Sequence, residues 1–171
     1  GVPLLALMLE RLSHVRNDVT LVVATTHSVD DDAIVSVARR ADVRTFRGHA
    51  TDLLDRHIEA ALTLGADVVV KVPSDCPLID PELVDDVLDV FLAADGMLAY
   101  ASNLHPRTHA DGNDVEVMAV EALLRAHGET ERPIDREHTT PYIVEHPDWF
   151  PSRNVRSRDT RDAARFRHVV D

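Results

Sequence analysis

The chain has 171 residues, 44% of them hydrophobic, which is sufficient for one globular domain with a sizeable core. Its net charge is −12, and an acidic surface of this kind argues against nucleic-acid binding because it repels phosphate backbones. A small anionic substrate would need a metal ion or a local cluster of arginines to offset this charge. The sequence has no apolar run of the ~20 residues that span a bilayer, and it does not open with a basic and then apolar leader.

The basic residues and the single thiol add two expectations. Cys76 is the only cysteine, so an intrachain disulfide is impossible and a reducing, cytoplasmic location is expected. Seventeen arginines stand against one lysine, Lys71, which lies near the end of a strongly apolar run. The sequence begins without Met, inside an apolar pattern, and we therefore expect it to have been cut from a longer chain.

The first half of the chain alternates helix and strand patterns at short spacing. The strand patterns are short β-branched runs without polar alternation, which is typical of a parallel sheet covered on both faces. The sequence therefore predicts an α/β fold of three layers, with a mostly parallel sheet between helices. In chain order we expect helix 4–12, strand 18–26, a helix that is capped by Ser28 and ends near Ala41, strand 43–46, helix 52–64, strand 67–72, and a helix from Asp80-Pro81.

The pattern changes after residue 96. A polar loop separates two strand patterns, and helices and strand-like segments alternate less regularly beyond them. Trp149 and Phe150 are predicted to lie in the core. His105 and His109 have a spacing that zinc ligands can use, but Pro106 lies between them and a solvated loop is the better interpretation. The expected elements are strands 97–103 and 114–119, helices 119–127 and 135–146, and strand-like segments 150–155 and 165–171.

The apolar run 67–72 ends abruptly in a carboxylate, Asp75. Ligands of open α/β sheets bind beyond the carboxyl ends of the strands, where an aspartate on a stiff turn is suited to a hard cation such as Mg²⁺. The alternative is that Asp75 only caps its own turn. The apolar pair Val169-Val170 is followed by a second carboxylate, Asp171. The periodicity of the sequence does not indicate which edge of the sheet this residue reaches. Cys76 has no neighbouring histidine to activate it, and a small loop residue is a sufficient explanation for it.

Seven segments, in order over nearly the whole chain, resemble the sugar cytidylyltransferases. The resemblance is closest to the branch named for spore-coat polysaccharide biosynthesis, relatives of the CMP-sialic acid and CMP-Kdo synthetases. It implies a GT-A-like nucleotide-diphospho-sugar transferase fold and a Mg²⁺-dependent attack of a sugar hydroxyl on the α-phosphate of CTP. The products would be a CMP-sugar and pyrophosphate. The segments are "VVATTHSVDDDAIV", "FRGHATDLLDRHIEAA", "GADVVVKVPSDCPLIDPELVD", "YASN", "DGNDVEVM", "REHTTPYI" and "VVD".

The same resemblance implies roles for individual residues. Asp75 and Asp171 match the two metal-binding aspartates of the family. Lys71 stands where the family usually has a basic residue and could offset triphosphate charge, or it could be a surface lysine that extends its head into water. The residues implied to line the nucleotide are Arg47, Arg56 and Ser74. Either arginine, taken alone, could instead be an ordinary surface arginine.

A second group falls where the acceptor sugar is expected. Asp114 and Glu116 alternate correctly for two side chains on one face of a strand. The resemblance therefore implies an acceptor site for a sugar or sugar acid, formed by Asp111, Asp114, Glu116, Arg136 and His138.

The sequence also departs from the family. The Gly-rich phosphate loop that opens family members is absent before Gly1, Ser74 replaces a usual glycine, and the loop around His109 differs from the usual pattern. We expect residues 1–171 to form a single nucleotidyltransferase domain that is cut at both ends. Related synthetases are commonly dimers, which implies a homodimer. A non-catalytic member that binds a nucleotide or a partner protein is the alternative function.

Overall fold

The computed structural model describes residues 1–158 and 163–170. Two short 3₁₀ turns, Val29–Asp31 and Ala163–Arg165, accompany the regular elements. No helix in these residues is long and apolar enough to cross a membrane. The helices and strands are α1 (Leu4–Leu12), β1 (Val22–Thr26), α2 (Asp32–Arg40), β2 (Arg44–Gly48), α3 (Leu53–Leu64), β3 (Val68–Lys71), α4 (Pro81–Leu92), β4 (Tyr100–Ser102), β5 (Glu116–Ala119), α5 (Val120–Glu129), α6 (Pro133–His138), α7 (Pro141–Glu145) and β6 (Ser152–Asn154).

The strands form two sheets, and the second is mixed. β1 and β2 pair in parallel, whereas the second sheet has the order β3-β5-β4-β6 with β5 antiparallel to both of its neighbours. β6 pairs in parallel with β4 after the helical crossover α5–α7. The α/β class is confirmed, but fewer strand pairs are parallel than predicted. β4 and β5 are joined by a loop without a helix, and such a direct connection suits antiparallel strands.

Helices cover both faces of the second sheet, as predicted. Successive residues of β5 point to opposite faces, so Val117 packs with α1 and α4 while Met118 packs with α3, α5 and α7. Phe150 is buried in the second of these clusters, as predicted. Trp149 was predicted to be core but is half exposed, where its ring stacks on His146 at a centroid distance of 4.8 Å.

The predicted helix ends are largely correct. Ser28 caps the 3₁₀ turn that leads into α2, Asp80 caps α4, and Gly65 closes α3 at φ +65°, a left-handed conformation that favours glycine. The predicted helix 135–146 is instead two short helices, because Pro141 disfavours helical backbone in the residue before it. The predicted strand 165–171 is not formed by its described residues, which make a 3₁₀ turn and a single bridge to Asp111.

The loop after α1 is fixed to α4 by one buried carboxylate. Asp85, only 1% exposed, accepts hydrogen bonds from the backbone N–H groups of Arg16 and Asn17 at 3.0–3.1 Å and from both of their side chains. Burial opposes ionisation of Asp85, but these donors outweigh it and hold its pKa below the usual range. The carboxylate thereby sets how the chain enters β1.

We predict that Asp85→Ala lowers the free energy of unfolding by about 3 kcal/mol, because it leaves two backbone donors without their charged acceptor. Urea denaturation at pH 7 measures the change. Asp86→Ala is the matched control, since this neighbouring carboxylate is half exposed and its ion pair among the described residues, with Arg158, is long, at 4.0 Å. Equal stability of the two variants would contradict the anchoring role of Asp85.

Candidate active site

Lys71, the last residue of β3, lies at the centre of a buried polar cluster. Its Nζ donates to Glu116 Oε1 at 2.7 Å and to the carbonyl oxygen of His138 at 3.3 Å. The other carboxylate oxygen of Glu116 accepts from the Tyr100 hydroxyl at 2.9 Å and from the Thr140 hydroxyl at 2.6 Å. We call these residues the Lys71 cluster; it joins three strands to the turn between α6 and α7.

The cluster keeps Glu116 ionised although it is buried. Burial alone would raise the pKa of Glu116, but the Lys71 ammonium and the hydrogen bonds from Lys71, Thr140 and Tyr100 lower it below the usual range. Burial, followed by the Glu116 carboxylate, raises the pKa of Tyr100. On α3, burial lowers the pKa of His57, and the Lys71 ammonium acts in the same direction. Glu116 is therefore a firmly held anion and a poor proton acceptor.

Asp75 lies in an exposed turn just beyond the end of β3. Its carboxylate makes no ion pair among the described residues, and its nearest polar partner is Cys76 Sγ at 3.5 Å. The adjacent Ser74 is also exposed. Burial, followed by the charge of Asp75, raises the pKa of Cys76 to about 12, so the thiol stays protonated and is not an activated nucleophile.

The Asp75 turn offers some, but not all, of the oxygen ligands that a hard cation needs. Residues 1–158 and 163–170 contain no cluster of three or more His, Cys, Asp or Glu side chains arranged to hold a metal. Mg²⁺, however, needs only one or two protein carboxylates when water and substrate phosphate complete its shell, and Asp75 offers one that is not engaged by a cation. Asp171, the other predicted ligand, lies outside the described residues. The backbone N–H of its neighbour Val170 donates to the carbonyl oxygen of Asp75 at 3.0 Å.

A cavity of about 470 Å³ lies at the carboxyl ends of β1 and β2. Arg47, one of the predicted nucleotide residues, forms part of its wall, pairs with the Asp32 carboxylate and donates to the Ser28 carbonyl oxygen at 3.2 Å. The cavity is large enough for part of a small ligand. It is lined by Thr26, His27, Ser28, Phe46, Arg47, Gly48, His49, Ala50, Asp55 and Glu59.

Arg56, predicted to contact the nucleotide, supports this cavity from behind. It is buried, and its guanidinium donates to the carbonyl oxygens of His49 and Ala50 at 2.5–2.8 Å. Gly48 leaves room for these side chains, since a Cβ there would lie 2.9 Å from Arg56 Cγ and 2.7 Å from Phe46 Cε1 and would displace one or both of them. A direct nucleotide contact from Arg56 stays a prediction; in the structure its donors hold the loop.

The predicted acceptor residues do not form one cluster. Arg107 binds Asp114 through two hydrogen bonds, at 2.6 and 3.1 Å, and Asp111 at 3.0 Å, whereas Glu116 belongs to the Lys71 cluster. Arg136 lies elsewhere and joins α6 to α3 and α5: it donates to Asp52, the N-cap of α3, and to two backbone carbonyl oxygens, and it also contacts His127 Nε2. The side chain of His138 is exposed and only its carbonyl oxygen meets the Lys71 cluster.

Sequence reasoning missed several residues that organise these sites. Tyr100 and Thr140 lie inside the segments "YASN" and "REHTTPYI", but which of their side chains face inward depends on strand pairing. Asp31 binds both threonines at the end of β1, Thr25 and Thr26, whose hydrogen bonds lower its pKa to about 2. Arg107 could have been suspected, because it is the only arginine or lysine in residues 103–115, the acidic loop between β4 and β5.

Solved structures define the class of the fold. The chain superposes on a cytidylyltransferase from Leptospira borgpetersenii with a TM-score of 0.95 and 33% identity, covering 100% of this chain and 71% of that one. It also superposes on a CMP:2-keto-3-deoxy-manno-octonic acid synthetase complexed with CTP, with a TM-score of 0.70, 16% identity, and coverage of 92% and 80%. The second likeness shows the fold alone. The fold is thus of the nucleotide-sugar transferase type.

The chain belongs to the cytidylyltransferase family, whose model matches residues 1–169. It is 33% identical to the uncharacterized protein MJ1063 of Methanocaldococcus jannaschii, over 86% of this chain and 58% of that protein. It is 23% identical to the spore coat polysaccharide biosynthesis protein SpsF of Bacillus subtilis, over 88% and 61%. It is 33% identical to a 3-deoxy-manno-octulosonate cytidylyltransferase of Anaeromyxobacter dehalogenans, over 75% and 51%. The matches span about half to three fifths of these relatives.

We predict that Glu116→Gln destabilises the protein by about 3 kcal/mol at pH 7, because the Lys71 ammonium then lacks its counter-charge in a largely buried site. The folded-state pKa of Glu116 is depressed, so its contribution is present above the ordinary value of 4.5 and is lost as pH falls through the folded-state pKa. Urea denaturation across pH 3–7 tests both statements. The control is Glu131→Gln, which changes an exposed residue; similar curves for the two variants would contradict the role of Glu116.

Proposed function

We propose that this chain transfers CMP from CTP to a hydroxyl group of a sugar or sugar acid, with release of pyrophosphate, for surface polysaccharide or glycoconjugate synthesis. The observation that carries the proposal is the exposed carboxylate of Asp75 just beyond β3, which makes no ion pair with any described residue, in a chain that belongs to the cytidylyltransferase family. Two proteins that resemble this chain support the proposal by their names: SpsF is named for spore coat polysaccharide biosynthesis, and the Anaeromyxobacter relative for cytidylyl transfer to 3-deoxy-manno-octulosonate.

The proposed reaction is a displacement at phosphorus. The acceptor oxygen forms a bond to the α-phosphorus of CTP, the bond from that phosphorus to the bridging oxygen of pyrophosphate breaks, and the hydroxyl proton is released. Enzymes accelerate such transfers mainly by positioning the reactants and stabilising charge. Mg²⁺, held by Asp75 and, as the resemblance implies, by Asp171, would supply positive charge for the phosphates when bound.

The chain's own groups are assigned complementary tasks. Lys71 would offer an oriented ammonium donor at the end of β3, held by the carboxylate of Glu116, which balances its charge, and by the carbonyl of His138. The cavity beside Arg47 would hold the nucleoside part of CTP, supported by the loop that Arg56 fixes. A cytoplasmic location, a homodimer and the identity of the sugar stay predictions.

We predict that CTP with Mg²⁺ raises the melting temperature, while UTP, GTP and ATP do not. A ligand that binds only the native state stabilises it by about 2.7 kcal/mol at a hundredfold excess over Kd, or roughly 5–10 °C in a domain of this size. A thermal-shift panel of the four nucleotides, each with and without Mg²⁺, measures the effect. A rise without measurable pyrophosphate release would favour nucleotide binding without turnover, and no rise with any nucleotide would overturn CTP binding by this chain.

We predict that Asp75→Asn lowers the rate of pyrophosphate release about a thousandfold, since the loss of a metal carboxylate removes several kcal/mol of charge stabilisation. The melting temperature without ligand should stay unchanged, because the side chain is exposed. Asp67→Asn makes the same chemical change beside the opposite end of β3 and should keep wild-type activity. If Asp75→Asn releases pyrophosphate at the wild-type rate, the metal assignment is wrong.

A further inference from the structure

The segment 166–170, which we call the C-terminal strap, runs beside the acidic loop between β4 and β5. The backbone of Asp111 donates to the carbonyl oxygen of Phe166 at 2.9 Å and accepts from the N–H of His168 at 2.7 Å. The Asp111 carboxylate accepts from Arg167 Nε at 3.0 Å. One residue thus holds the strap by two backbone bonds and one ion pair.

Gly112 allows the strap to lie this close. Its φ is +94°, in the left-handed region that glycine tolerates best, and a Cβ at this position would lie 2.7 Å from the carbonyl carbon of His168 and 2.9 Å from its oxygen. These neighbours are backbone atoms and cannot rotate away. Any side chain at residue 112 therefore has to displace the strap.

Both the strap and the acidic loop contact the segment around Asp75. The strap reaches it through the N–H of Val170, which donates to the Asp75 carbonyl oxygen at 3.0 Å. The acidic loop reaches its far side through Asn113 Oδ1, which accepts from the N–H of Asp80 at 2.9 Å. The turn that presents the Asp75 carboxylate is thereby held from two directions.

We propose that Asp111 and Gly112 are positioning residues that dock the strap against the Asp75 turn, and that this is their contribution to metal-dependent transfer. The inference rests on the proposed function, because it takes Asp75 as a metal ligand. It replaces the expectation that Asp111 binds the acceptor sugar. Both carboxylate oxygens of Asp111 already face guanidinium groups, those of Arg107 and Arg167.

The test is Gly112→Ala, with Gly128→Ala as the matched control. Gly128 lies in α5 with open space around its Cβ position, so its substitution leaves the strap in place. Hydrogen exchange of the amides of His168 and Val170 reports strap docking, and that of Cys76, which donates to Pro73 within the turn, reports the turn itself. We expect Gly112→Ala to accelerate exchange at all three amides about tenfold or more.

The second measurement consists of two metal titrations. One follows pyrophosphate release as Mg²⁺ is added, and the other follows Mn²⁺ binding by electron paramagnetic resonance. In Gly112→Ala, the Mg²⁺ concentration for half-maximal pyrophosphate release and the Mn²⁺ concentration for half-maximal binding should both rise about tenfold, while the KM for the acceptor stays within twofold. Asp111→Asn should cause a smaller rise in the same direction. A raised acceptor KM with unchanged metal dependence would overturn the proposal and return Asp111 to the acceptor site. Faster strap exchange with an unchanged turn and unchanged metal binding would also overturn it.

Failure of the proposed function gives a different result. If the wild-type protein binds no CTP, Mn²⁺ titration and hydrogen exchange still measure the coupling between the strap and the turn, since neither needs a nucleotide. If the wild-type protein does not bind Mn²⁺, the Asp75 turn has no metal role. The positioning role is then overturned as well, even if hydrogen exchange shows that the strap and the turn open together.

Discussion

The Lys71–Glu116 pair is the contact on which the rest of the candidate site depends. The pairing of β3 with β5 places Lys71 directly opposite Glu116. Further hydrogen bonds of Glu116 extend to β4 and to the turn between α6 and α7. A buried carboxylate and ammonium are tolerated only when their remaining hydrogen-bonding groups are satisfied. Here the carboxylate of Glu116 accepts from three residues, so removal of any one donor changes how the cluster is held together.

The charges of the described residues support the proposed need for a cation. Arg47, Arg107, Arg136 and Lys71 each have a carboxylate partner within 3.1 Å, in a chain of net charge −12. A triphosphate that approaches these residues meets positive charge that is already largely neutralised, and the field of the whole chain opposes it. A divalent ion on the Asp75 carboxylate would reverse the sign of the local charge and leave the ion pairs of the loops in place.

The sequence predicted the elements better than their pairing. Helix ends were predictable because Asp80, Gly65 and Ser28 act locally through their own backbone neighbours. The position of β5 between β3 and β4, antiparallel to both, depends on contacts between residues far apart in the sequence. The periodicity of a single segment does not indicate such pairing. The same limit applies to the site. Asp75 could be located from the strand that precedes it, whereas the partners of Glu116 come from segments that are 16, 24 and 45 residues away.

The motif "DGNDVEVM" combines several structural tasks in one short stretch. Asp111 and Gly112 hold the C-terminal strap, Asp114 binds Arg107, and Glu116 anchors Lys71. The alternation of Asp114 and Glu116 was a sound reason to expect both on one side of the chain, but Asp114 lies just before β5 begins and takes a different partner. Because these carboxylates already accept hydrogen bonds from Arg107, Arg167 and Lys71, the segment has few acceptors left for the hydroxyl groups of a sugar. Acceptor recognition is therefore better sought among exposed polar groups, such as the side chain of His138 at the edge of the Lys71 cluster.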